Sequence, residues 1–216
     1  MNLKEFLKYS NSEAFYLNST ITGQKFIVEN QSKKAFCYFQ LEDQSDDRNI
    51  IFRKFELCIE GYQTSRRMDQ KLFLPFIQLN LYKDHPLLWV YTGKVYNCEL
   101  IGYPKDIDLF LGKIFQVYLQ RSNNWIQASK EFFATEHAYK KKNKITKTLG
   151  EKLIPFIEEV CQKHHVDFKI MNEETFDFYS NKSKALIFEN FYISPDGFNI
   201  GQPYIIAEYF SLKQLQ

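Results

Sequence analysis

Catalytic signatures are what this sequence has least of. No GxSxG elbow, HExxH helix, GxxxxGK[ST] loop or GxGxxG turn occurs in its 216 residues, which removes the commonest marks of serine hydrolases, zinc proteases and nucleotide-binding enzymes. Cysteine is sparse too. Cys37, Cys58, Cys98 and Cys161 lie far apart without a CxxC pair, arguing against a zinc cluster or disulfide framework and for reduced, buried thiols. The six prolines and eight glycines are scattered singly, so no linker divides the chain, and residues 1–216 are expected to form a single domain. No apolar run approaches the roughly 18 residues a membrane helix needs. The start, Met1-Asn2-Leu3-Lys4-Glu5-Phe6, places an acid where a secretory signal would be apolar. A cytoplasmic protein with no membrane role is expected. Charge of one sign is also lacking: a net +2 is too little for polyanion binding by the whole surface.

Aromatic residues are what the sequence has in excess, with 21 Phe and 14 Tyr in a composition that is 44% hydrophobic. Most of these rings belong to a core, each burying about 150–250 Å². Tyrosines on the outward phase of strands, such as Tyr38, Tyr96 and Tyr204, are candidates for a binding face, because tyrosine is enriched at interfaces.

The hydrophobic period sets the expected architecture. Leu3, Phe6 and Leu7 predict a short helix ending before Asn11 and Ser12. Period-two patterning then predicts strands over 20–29, 33–41 and 49–60, with Glu42, Asp43, Asp46 and Asp47 in a solvated loop before the last. A polar connection over 61–70 leads to a strand through Ile77, Leu79 and Leu81, with Pro75 at its start. Residues 87–91 and 95–100 read as a hairpin turning at Gly93. Helical spacing follows in Ile107, Phe110, Leu111, Ile114 and Tyr118, then over 123–136. A third helix is expected from a capping box at Thr148-Leu149-Gly150-Glu151 to Lys163, with Pro155 kinking it or marking a later start. Strands return at 166–170, 185–193 and 204–210. The expected class is α+β: an antiparallel sheet of N-terminal strands and returning C-terminal strands, packed against a central block of about three helices.

One segment has the spacing of chemistry. Lys105-Asp106-Ile107-Asp108-Leu109-Phe110 holds two carboxylates at i and i+2, which on a strand would share a face and a divalent ion. With Gly93-Lys94 upstream and Asp167 in a later apolar strand, this resembles the paired-aspartate motif of the nucleotidyltransferase superfamily. The resemblance implies that Asp106, Asp108 and Asp167 hold magnesium and position a nucleoside triphosphate for in-line attack by an acceptor hydroxyl. Lys94 stands where that family has a small serine, and residues 95–100 are β-branched and aromatic where it has a helix. Read from the residues alone, the same acids suit the first turn of a helix, where they complement its dipole. Helical periodicity after Pro104 favours that reading. On a helix the two side chains diverge by about 200°.

Three further clusters are weighed against plainer roles. Lys140, Lys141, Lys142, Lys144 and Lys147, beside Tyr139, could grip nucleic-acid phosphates, though a short charge run is more often a solvated connection. Cys161 and His165, four apart on the predicted helix, would share a face, without a second ligand pair to complete a metal site. Asp167-Phe168-Lys169 fits the (D/E)xK pattern of nucleases and needs a second acid nearby, with Glu99, Glu189 and Glu208 as strand carboxylates. With no complete catalytic set, the leading expectation is a non-catalytic domain that binds a protein partner and takes no cofactor. Magnesium enters only with the nucleotidyltransferase resemblance.

Overall fold

The structure, a computed structural model, describes residues 1–46, 49–68, 75–76, 78–89, 94–122, 125, 143–174, 182–189 and 202–215. Side chains are described for all of these except 45, 46, 75 and 76. The class is α+β with antiparallel sheets. Two compact units are present: Met1–Asp84 with Lys182–Gln216, and His85–Asn181.

In the first unit, Asn2 starts helix α1 (Leu3–Ser10) with a reciprocal cap: its Oδ1 accepts from the Glu5 amide at 3.0 Å, and the Glu5 carboxylate accepts from the Asn2 amide at 2.9 Å. Phe6 is thereby delivered into the core, fully buried. A second helix that the periodicity does not reveal, α2 (Glu13–Asn18), starts where the Ser12 hydroxyl accepts from the Phe15 amide. Its six residues are too few to display a period.

Strands β1 (Ser19–Glu29), β2 (Lys34–Asp46) and β3 (Asn49–Glu60) then form an antiparallel meander. Their alternation is what the sequence promised. Ala35, Cys37, Phe39, Leu41, Phe55, Leu57 and Ile59 point inward and are buried, while Phe36, Tyr38, Gln40, Glu56 and Cys58 face the other way. Rings interlock at the centre: Phe6 meets Phe39 and Phe55 edge-on at 5.4 and 4.9 Å, and the latter two stack at 5.4 Å.

Strands β4 (Thr64–Arg66), β5 (Pro75–Phe76) and β6 (Gln78–Tyr82) follow, and the unit is completed by β10 (Lys184–Glu189), β11 (Tyr204–Ala207) and β12 (Tyr209–Leu215). One sheet has the order β12-β3-β2-β1-β5 and the other β4-β11-β10-β6. The expected strand 204–210 is therefore two strands in different sheets, divided at Glu208. Gly61 makes room for that division: it sits at φ +64, and a Cβ there would lie 2.7 Å from the Glu208 side chain.

In the second unit, β7 (Val95–Ile101) lies between β8 (Lys144–Gly150) and β9 (Asp167–Glu174), and helices α3 (Ile107–Ser122) and α4 (Ile154–Lys163) supply the rest of the core. Phe110, Ile114, Ile157, Cys98 and Cys161 are fully buried there.

Three further expectations are corrected. Residues 42–46 are not a loop, because β2 runs to Asp46 and pairs with β3 as far as Asp43 and, after a register shift, again at Asp46. Residues 87–89 do not pair with 95–100, while 90–93 lie outside the described residues. Pro86–Leu88 is a 3₁₀ turn in which His85 Nδ1 accepts from the Leu87 amide, and both edges of β7 are taken by β8 and β9. Thr148 is no helix cap: it lies in β8, donating to the Asn97 side chain at 2.8 Å, and α4 starts only at Ile154, with Pro155 in its first turn. The strand expected at 166–170 is present as β9, which starts at Asp167 and continues to Glu174. The expected helix over 123–136 and the residues 190–193 lie outside the described residues, apart from Trp125.

Among the described residues, no helix is long and apolar enough to cross a membrane. All four cysteines are free thiols. Burial pushes Cys98 up to about 11 and Cys161 up to about 12, and drives Cys37 higher still. Tyr82 is raised by burial and by its hydrogen bond to Glu189. Since each folded value lies above the unfolded one, the protonated form favours folding. That stability is fully present below about pH 8.5, the unfolded thiol value, and is lost as pH rises beyond it. The urea midpoint should hold from pH 7 to 8 and fall steadily from pH 9 to 11; a midpoint flat to pH 11 contradicts these burials.

Candidate functional site

The aspartates singled out in the sequence are not gathered. Asp106 is the cap of α3, its Oδ1 accepting from the Leu109 amide at 2.8 Å. Asp108 follows in the exposed first turn, and Asp167 opens β9, exposed, opposite Ile101. Among the described residues no group of three or more His, Cys, Asp or Glu side chains is placed to hold a metal ion. The cap does an ordinary structural job. Asp106→Ala should cost about 1 kcal/mol in urea unfolding, with Asp106→Asn recovering most of it.

The lysine run divides as well. Lys140, Lys141 and Lys142 lie outside the described residues. Lys144 pairs with Glu99 at the start of β8, whereas Lys147 is three residues further along the same strand. Residues three apart on a strand face opposite ways, so these two do not form one phosphate-gripping row.

The acid that Asp167-Phe168-Lys169 requires does lie close by, because β7 sets Glu99 opposite Lys169. It is already engaged by Lys144. With Asp167 it makes two carboxylates among two lysines, an alternating charge ladder on a sheet face. Glu189 accepts from the Tyr82 hydroxyl at 2.7 Å, and Glu208 sits at the break between β11 and β12. His165 lies beyond the end of α4 at φ 56, exposed, and leaves the face on which Cys161 is buried. Of the three tyrosines, Tyr38 is on the outward face beside Glu56, Tyr204 is half-buried, and Tyr96 packs on the core of its unit.

The surface that stands out was not singled out in the sequence. At the start of β3, three consecutive apolar residues are exposed: Ile50 at 52%, Ile51 at 41% and Phe52 at 56%. Register explains why. On one side β2 pairs with this segment through Asp46–Asn49, Asp43–Ile51 and Glu42–Phe52, while on the other β12 reaches only to Leu215, opposite Lys54. Among the described residues, the pairing of 49–53 is with β2. The chain matches no protein-family model, no curated protein and no solved structure.

The root of this hairpin is held by a buried polar cluster. Asp43, 3% exposed, accepts from the Tyr9 hydroxyl at 2.7 Å and lies 4.0 Å from the Arg53 guanidinium. Burial, and then the bond to Asp43, hold the Tyr9 phenol above its usual range. Tyr9 in turn meets Phe15 of α2 edge-on at 5.1 Å. Helix α2 itself exposes Tyr16 and Leu17. One sequence signal does mark the tip. Ile50-Ile51-Phe52 is an unbroken apolar triplet in a strand that otherwise alternates from Phe55 to Glu60.

Proposed function

We propose that this protein is a non-catalytic binding domain of the cytoplasm that engages a protein partner through the distal part of the β2–β3 hairpin. The observation that carries the reading is the exposed apolar triplet Ile50-Ile51-Phe52 at the start of β3. Single exposed apolar residues are ordinary on a protein surface; a contiguous exposed group is the kind of feature that marks an interaction site. The buried cluster of Asp43, Tyr9 and Arg53 supports the reading, because a fixed hairpin root lowers the ordering cost of binding. The free thiols suit a reducing compartment.

Quantitative affinity capture from the cells that make the protein tests this, using the full chain and the double variant Ile50→Lys with Phe52→Glu. Loss of central anchor residues costs at least about 2 kcal/mol, so partner retention should fall about 30-fold or more. Thermal stability should barely move, because exposed sites contribute within about 0.5 kcal/mol. Equal retention by both proteins contradicts the proposal.

A further inference from the structure

The path of the chain through the first unit indicates what the second unit is. We infer that His85–Asn181 is a guest fold inserted at the turn of a β-hairpin of the first unit, and that each unit is stabilised by its own core. Partner binding then belongs to the host unit and does not need the guest. That last step rests on the reading of the β2–β3 hairpin as the binding surface.

Three observations converge. The first is register. Strands β6 and β10 are antiparallel neighbours, with Leu81 opposite Leu186 and Tyr82 opposite Ala185. Directly opposite residues of such a pair have Cα atoms about 4.5–5.5 Å apart. A tight turn is enough to join strand ends that lie this close, yet the chain between Tyr82 and Ala185 holds the whole of the second unit. A turn is where a folded insertion disturbs a host least, since no ladder hydrogen bond has to break to admit it.

The second observation is the division of the cores. Every residue of the first hydrophobic cluster, from Phe6 to Ala207, belongs to the first unit, and every residue of the second, from Cys98 to Val166, belongs to the second. The strands divide the same way. The two sheets of the first unit take β1–β6 and β10–β12, and the sheet of the second takes β7–β9. A span of about 100 residues with its own core is of ordinary size for a domain that folds alone.

The third observation is the exit junction. Ser183 is 3% exposed, and the Gln63 side chain donates to its hydroxyl. Strand β10 opens at the next residue, Lys184. The returning chain is therefore fixed by host residues as soon as it leaves the second unit.

Native-state hydrogen exchange of the full chain tests the inference, with Ile157→Ala in the guest core and Phe55→Ala in the host core. Both side chains are fully buried. Protected amides exchange according to the stability of the unit that must open, and truncating a core side chain of this size speeds them about 30-fold or more. Ile157→Ala should do so in β7 and β8 and leave the amides of β2 and β3 within about twofold. Phe55→Ala should do the reverse. A single cooperative domain moves both sets together with either variant, and that result overturns the inference. Loss of the whole far-ultraviolet dichroism signal in Ile157→Ala overturns it as well.

Affinity capture with the Ile157→Ala full chain adds the functional arm: partner retention should stay within about twofold of the unaltered chain. If exchange separates by unit while that retention collapses, binding by the host alone is overturned. If exchange separates while the Ile50→Lys, Phe52→Glu variant captures as well as the unaltered chain, the hairpin reading falls and the insertion stands. If exchange spreads across both units while capture depends on Ile50 and Phe52, the insertion falls and the binding surface stands.

Discussion

Replacing Phe55 with alanine is expected to lower stability by about 3–5 kcal/mol. Phe55 is fully buried, stacks on Phe39 and receives Phe6 edge-on. Its removal leaves a cavity between a sheet and a helix that the fused pleat of β2 and β3 cannot collapse to fill. Urea unfolding followed by far-ultraviolet circular dichroism measures the loss. The same variant tests the domain organisation. Both tryptophans, Trp89 and Trp125, lie in the unit His85–Asn181, whereas Phe55 lies in the other. The reading of 1–216 as a single cooperative domain expects Phe55→Ala to shift the tryptophan fluorescence transition as far as the dichroism transition. A loss below about 1 kcal/mol would contradict the packing described.

Asp43→Ala is the second large effect, expected at about 2–4 kcal/mol. Its carboxylate is buried against the Tyr9 hydroxyl and near Arg53, so truncation leaves a phenol and a guanidinium short of their acceptor. The Arg53 side chain is 31% exposed and recovers part of its loss through water, which keeps the figure below that of a fully enclosed pair. Asp43→Asn retains an acceptor for Tyr9 and should cost less than half as much. Equal losses for the two variants would show that the charge, not the hydrogen bond, holds the hairpin root.

What the sequence discloses about this fold follows the range of the forces involved. Helix α1, the meander of β1, β2 and β3, and helix α3 are legible because their periods are local and long enough to count. Where pairing with distant residues decides, legibility ends. Asp43 and Asp46 look like a loop, yet they are strand because β3 lies alongside, and Asp43 is held inside by groups that include Tyr9, thirty-four positions away. Thr148 has the spacing of a cap, but β7 claims it first. The split at Glu208 depends on Gly61, in another part of the chain.

The candidate site shows the same limit. Ile50, Ile51 and Phe52 read as strand, and their hydrophobicity reads as core. They are nevertheless exposed, and no local pattern records which strand residues a fold leaves uncovered. The aspartate pair illustrates the converse. Its i, i+2 spacing suggests shared chemistry only if the backbone is extended, and the periodicity that begins at Ile107 sets Asp106 to capping α3 instead.

Site-specific photo-crosslinking in the protein's own cells tests partner binding at the hairpin most directly. A photoreactive phenylalanine is placed singly at Ile50, at Phe52, and at the exposed control position Thr146 on β8. Binding through the hairpin predicts one discrete crosslinked protein from positions 50 and 52, and none from 146. The same products from all three positions, or none from 50 and 52, would contradict it.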